Sequence, residues 1–328
     1  MLKHGFSVCV SIAYALQMEL KMRLASMDIG TNSVKLLVAD VENRQIKNVL
    51  LELMDITRLG EGIDRNHELL PEAMDRTLYA ISDFQNRAKQ LGAENTIAIA
   101  TSAMRDAKNS DVFIQKVMEK TGLNLQIVSG DEEAELVFTG VCSDIELQSK
   151  KLILVDVGGG STEFIFGQNG NIEDRFSINV GCVRLTEEFI HSDPVDPADL
   201  QKIIQHVIAM LYVRLANTPA EEYDLIGIGG TITTAALVHQ NMEGSTLNDI
   251  HGYVMQKNQI FRLLTNLRRM TLEERRKVPG LSPQRADVIV AGIATFSTIM
   301  EILKTQEIVV NTKGLRYGAI LKNLSIHD

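Results

Sequence analysis

The sequence predicts an α/β protein made of two copies of one β-β-β-α-β-α unit, and three observations carry that expectation. Residues 151–167, KLILVDVGGGSTEFIFG, read as a strand, a glycine loop and a second strand. Residues 22–40, MRLASMDIGTNSVKLLVAD, repeat that grammar, with Asp28, Gly30 and Ser33 standing where Asp156, Gly158 and Ser161 stand. The echo then continues at nearly equal spacing. Each copy has a third apolar strand, ending at 57–59 or 183–185, then a helix, then a short strand at 96–99 or 225–228. A repeat of this kind is a supersecondary unit used twice, so two hairpin loops are expected to face each other across a cleft.

The elements follow in order. Residues 42–45, ENRQ, make a hairpin turn before a strand over 46–53. Pro71 opens a helix whose Met74, Leu78, Ile81, Phe84, Ala88 and Leu91 form one stripe, closed by Gly92. Residues 111–120 read as a helix and 125–128 as a strand, after which Ser129 caps a further helix. The polar stretch 143–150 crosses to the second copy. Asp196-Pro197 starts a helix with Leu200, Ile203, Ile204, Val207 and Leu211 on one face. Strand 225–228 runs into Gly229-Gly230-Thr231, and a mostly helical segment begins at His251. A helix over 285–303, a strand over 307–311 and a closing helix over 314–324 complete the chain.

The glycine loop suggests chemistry. Three consecutive glycines in a hairpin give up packing, and without Cβ atoms their amides can form a nest for phosphate oxygens. The alternative is a plain glycine-rich hairpin tip. The candidate phosphate contacts are Thr31, Asn32 and Ser33 in the first loop, Gly158, Gly159, Gly160, Ser161 and Thr162 in the second, and Arg184 beyond it. Asp156 and Glu163 flank the glycines as a carboxylate pair suited to Mg²⁺, with Mn²⁺ as a substitute and Asp28 as a third candidate ligand. Solvated turn carboxylates are the competing reading. Thr101, Ser102 and Arg105 end a strand at the edge where open α/β sheets bind ligands, and a guanidinium there suits a phosphate fork.

Paired D-[IV]-G-x-x-S loops on duplicated halves resemble the actin-like (ribonuclease H-like) superfamily. Residues 100–105, ATSAMR, residues 129–134, SGDEEA, and residues 313–318, KGLRYG, together with DVGGGSTE, narrow the resemblance to the exopolyphosphatase/guanosine pentaphosphate phosphatase (Ppx/GppA) family. It runs from about Met22 to the C-terminus. It implies two domains around a cleft: 22–147, closed by a C-terminal helix over 312–328, and 148–311. It also implies that Glu133, the glutamate before the alanine, is catalytic, and that Arg105 clamps phosphate. The neighbouring Glu132 is explained by helix capping alone. The implied activity is release of terminal orthophosphate from inorganic polyphosphate or from guanosine pentaphosphate, in the cytoplasm, by a homodimer. Longer family members add a helical extension, so the chain resembles the short two-domain form. The nearest candidates for a polyanion track are Arg105, Arg184 and Arg316; the cluster Arg268, Arg269, Arg275, Arg276 and Lys277 reads first as a solvated basic face, with a landing strip for a polyanion as the sharper alternative.

Composition limits the rest. The 328 residues carry a net charge of −9, 45% hydrophobic and 23% charged residues. That is the profile of a globular protein, and its acidity argues against a nucleic-acid binder. Three separated cysteines suggest neither a disulfide framework nor a zinc site. Residues 1–21 hold an apolar run too short to span a membrane, which reads either as an N-terminal extension or as a secretory signal. Two rival functions share the loops. A superfamily kinase would need ATP and an acceptor, and a non-catalytic polyphosphate or alarmone binder would release no phosphate.

Overall fold

The computed structural model describes residues 21–63, 67–219, 222–242 and 247–324. The signal-like run and the last four residues of the closing segment lie outside the described residues.

Strands β1 (Lys21–Ile29), β2 (Val34–Glu42) and β3 (Gln45–Asp55) form an antiparallel meander. Asn43 and Arg44 turn between β2 and β3 at φ 51° and 61°, the left-handed pair that a tight hairpin of right-twisted strands requires. Helix α1 (Pro71–Gln90) buries Met74, Ile81, Phe84 and Ala88 against this sheet, as its period predicts. It returns the chain to β4 (Asn95–Ala100), parallel to β1. Helices α2 (Ser102–Asp106) and α3 (Ser110–Thr121), strand β5 (Leu125–Ile127) and helix α4 (Gly130–Val141) complete the unit, in the order β3-β2-β1-β4-β5.

A one-turn helix, α5 (Ile145–Gln148), leads to β6 (Lys151–Val157), β7 (Thr162–Gln168) and β8 (Asn171–Ile178). Then come α6 (Cys182–Phe189), α7 (Pro197–Leu215), β9 (Asp224–Ile228) and α8 (Gly229–His239). Strand β10 (Val254–Gln256), helices α9 (Lys257–Arg269), α10 (Leu272–Arg275) and α11 (Ile289–Leu303), strand β11 (Glu307–Val310) and helix α12 (Leu315–Asn323) follow. The second sheet runs β10-β11-β9-β6-β7-β8, so from β8 inward it repeats the first. This is the duplicated, actin-like α/β architecture expected.

Several local expectations change. The third strands stop at Asp55 and Ile178, and Arg184 sits on a helix. The amides of Thr57 and Arg58 are drawn instead to the Asn32 carbonyl, and those of Val183 and Arg184 to the Gly159 carbonyl. Both third segments therefore brace a hairpin loop rather than extend a ladder. The segment after His251 begins with an edge strand, β10, antiparallel to β11. The long helix starts at Ile289, after a 3₁₀ turn at Pro283–Arg285.

Helices α4 and α12 lie between the sheets. Leu136, Val137 and Phe138 of α4 join Leu152, Leu154 and Ile226 of the second sheet, while Tyr317 and Ile320 of α12 join Leu24, Leu37 and Val41 of the first. That middle layer sets where Glu133, on the first turn of α4, comes to lie within electrostatic reach of Asp156 and Glu163.

Candidate active site

The two hairpin loops are built alike. Gly30 N–H donates to Ser33 O at 2.9 Å, and Gly158 N–H to Ser161 O at 3.0 Å. The carbonyls of Thr31, Asn32, Gly158 and Gly159 accept from the bracing segments. Among the described residues, the amides of Thr31, Asn32, Ser33, Gly159, Gly160 and Ser161 donate to no backbone carbonyl. Loops with committed carbonyls and spare amides are suited to an anion. They also meet: a Cβ on Gly159 would lie 3.4 Å from Asn32 Cβ. Thr31 Oγ1 shares a 2.7 Å hydrogen bond with Ser102 Oγ, and Arg184 Nε donates to Gly160 O at 3.1 Å.

Carboxylates from both halves converge here. Antiparallel register places Asp156 opposite Glu163 on β6 and β7, and Asp28 opposite Lys35 on β1 and β2. Lys35 Nζ reaches Asp28 Oδ2 at 3.1 Å. Lys35 is therefore the first half's counterpart of Glu163, and the duplication itself was the signal that marks it. Asp156 and Glu133 line one cleft of about 560 Å³ with Asp28, Lys35, Arg285 and Arg316. Arg285 comes from a 3₁₀ turn with no motif around it; its guanidinium is desolvated and feels the Asp156 charge. Gly229, at φ +83°, packs where any Cβ would collide with the Asp156 carboxylate, so close strand-to-helix packing does explain that glycine.

Burial pushes Glu133 up to about 7, opposed by Arg105, whose Nη1 lies 2.7 Å from Glu133 Oε2. The charges of Asp28 and Asp156 push Glu133 the same way as burial. Burial, then the Glu133 and Asp156 charges, push Glu163 up to about 8, against hydrogen bonds from Ser161 and Ser177. Asp156 is raised, chiefly by burial. Glu132 instead closes a capping box with Ser129, whose amide and hydroxyl both reach its carboxylate, and is exposed.

The structure does not bring every candidate to the cleft. Thr162 is fully buried and its hydroxyl donates to Val180 O. Arg316 does line the cleft, but its guanidinium is already held by Leu36 O and Glu52. Of the basic cluster, Arg268 binds Val195 O, Arg275 binds Asp193 and Arg276 binds Glu273, so these three serve local contacts.

Crowded, desolvated carboxylates with raised pKa values make a donor set that fits a hard divalent cation. Among the described residues no three His, Cys, Asp or Glu side chains form a ready cage, but Mg²⁺ needs only one or two carboxylates beside phosphate and water. A test without turnover follows. Between the ordinary carboxylate pKa and about 8, the folded chain holds more protons on Glu133 and Glu163 than the unfolded chain. Stability should therefore fall as pH rises from about 5 to 8. Thermal unfolding across that range should show the fall, Glu163→Gln should flatten it, and Mg²⁺ should oppose it at the alkaline end. A flat profile in the unsubstituted protein would contradict this account of the carboxylates.

Comparison with known proteins agrees with the geometry. The model of the Ppx/GppA phosphatase family matches residues 37–327. A bifunctional 3-dehydroquinate synthase/phosphatase of Fusobacterium nucleatum is 34% identical over 92% of the chain, which spans only 46% of that relative's length. Exopolyphosphatase 2 of Mycobacterium tuberculosis is 34% identical over 86% of the chain and 91% of its own. The crystal structure of the Aquifex aeolicus member of the Ppx/GppA family superposes with a TM-score of 0.79 at 28% identity, covering 94% of this chain and 99% of that one. On this match the chain belongs to the Ppx/GppA phosphatase family.

Proposed function

We propose that the protein is an exopolyphosphatase, releasing terminal orthophosphate from inorganic polyphosphate. The observation that carries this reading is Glu133, a desolvated carboxylate raised to about 7 that shares a cleft with Asp28 and Asp156, the residues that lead into the two anion-suited loops. A base with a pKa near working pH is poised to take a proton from water as it attacks phosphorus. The loop amides would bind the terminal phosphoryl oxygens, and Lys35 and Arg285 would bind the next units. Arg105 would pass from Glu133 to a phosphate, leaving the carboxylate free to orient water. Asp156 and Glu163, with Asp28, are the residues that would hold Mg²⁺, whose charge, when bound, would offset that of the phosphoryl oxygens. Chelation should abolish turnover, and Mg²⁺ or Mn²⁺ should restore it.

One observation favours guanosine pentaphosphate as a second substrate. The cleft wall beside Lys35 and Arg285 is apolar, with Leu50, Leu53, Met54 and Leu237, which a bare phosphate chain does not need. Leu50 is exposed and takes part in no core cluster. Leu50→Ser, which removes the apolar contact without adding charge beside Lys35 and Arg285, should lower kcat/KM for guanosine pentaphosphate by about 10-fold, with little change for polyphosphate. Phosphate release measured on both substrates decides the question. Equal losses on both would remove the nucleotide reading, and no release from either would remove the function itself.

A further inference from the structure

The chain crosses between the sheets twice, at 143–150 and at 311–314, and one carboxylate ties the crossings together. Asp144, three residues beyond the end of α4, binds Lys313 Nζ through Oδ1. Its Oδ2 accepts Asn311 Nδ2 at 2.9 Å and His251 Nε2 at 3.1 Å. Thr312 N–H donates to His251 Nδ1 at 3.3 Å, which leaves Nε2 as the nitrogen that gives its proton to Asp144. Asn311 N–H in turn donates to Gly227 O on β9. Burial would raise the Asp144 carboxyl, yet His251 and Lys313 bring it down to about 2, so the anion persists at all working pH.

What this knot can move is set by the helices beyond it. Gly318 of α12 packs directly on the Leu136 backbone of α4, and Gly140 of α4 on that of Gly314. Helices in backbone contact move as one body, so any rotation between the halves must occur at the two crossings. Leu136, Val137 and Phe138 of α4 also pack on the second sheet, which carries Asp156 and Glu163, so a shift at the crossings changes how α4 seats Glu133 against that sheet.

We propose that Asp144 is a positioning residue, fixing the angle at which α4 presents Glu133 to phosphate held by the second loop. The effect on turnover rests on Glu133 being the base; the effect on the angle does not.

The test has two arms. Asp144→Asn should lower kcat by about 10-fold or more with a smaller change in KM, because a misplaced base costs rate more than binding. In a Glu133→Gln background the same substitution should cost less than about twofold, since its route of action is already removed. Equal fold-losses in both backgrounds would overturn the proposal. In the second arm, spin labels at Tyr79→Cys on α1 and Val213→Cys on α7, both well exposed, report the distance between halves. Asp144→Asn should broaden that distance distribution, and an unchanged distribution would overturn the proposal. If Glu133→Gln keeps full activity, the functional reading fails while the distance arm still decides for Asp144. Should Asp144→Asn not fold, Lys313→Gln removes one bond of the knot and is read the same way.

Discussion

Glu133→Gln is expected to lower turnover by roughly 10²–10⁴-fold while substrate still binds. Glutamine keeps the size of the side chain and can still meet Arg105, so the loss isolates the proton-accepting function. Its neighbour supplies the control. Glu132 is exposed and spends its carboxylate on the Ser129 capping box. Glu132→Gln retains a capping-box residue, so stability should change by about 1 kcal/mol at most and turnover should survive. Initial-rate phosphate release from both variants checks the pair. Equal losses, or a loss confined to Glu132→Gln, would contradict the assignment.

Gly318→Val should unfold or severely destabilise the protein, by roughly 3 kcal/mol or more. Replacing glycine inside a helix ordinarily helps, by about 1 kcal/mol for alanine. Here the sign reverses, because a Cβ on Gly318 would fall on the Leu136 carbonyl of α4. Backbone cannot swing aside as a long side chain can, so α12 must separate from α4, and the middle layer loses the contacts that join the sheets. Urea unfolding of the variant should show a much lower midpoint. A midpoint equal to that of the unsubstituted protein would show that the two helices are not locked as described.

Much of this was legible in the sequence because its signals are local. The two loops, their flanking strands and the helix at Pro71 each announce themselves within a few residues, through glycines, capping residues or apolar period. Glu132 could be set aside on its capping box alone. Lys35 was legible but only through the repeat, since register makes it the partner of Asp28 as Glu163 is the partner of Asp156. Arg285 was not legible. It reaches the cleft from a short turn far along the chain, and tertiary folding alone brings it to Gly230 and Met54. The basic cluster, read first as a solvated face, shows the same limit. Charge along the chain says nothing of the carbonyls and carboxylates, such as Val195 O and Asp193, that fold over to meet it. Arg184 likewise keeps its place beside the loop but on a helix rather than a strand, its segment's amides donating to the Gly159 carbonyl instead of to a ladder.

The most direct measurement of the central claim is polyphosphate cleavage in ¹⁸O-labelled water, with the position of the label read by mass spectrometry. Attack by water activated at Glu133 on the terminal phosphorus predicts orthophosphate that carries one solvent oxygen, and a remaining chain that carries none. Label in the remaining chain, or orthophosphate that forms only when an acceptor and ATP are added, would contradict the account.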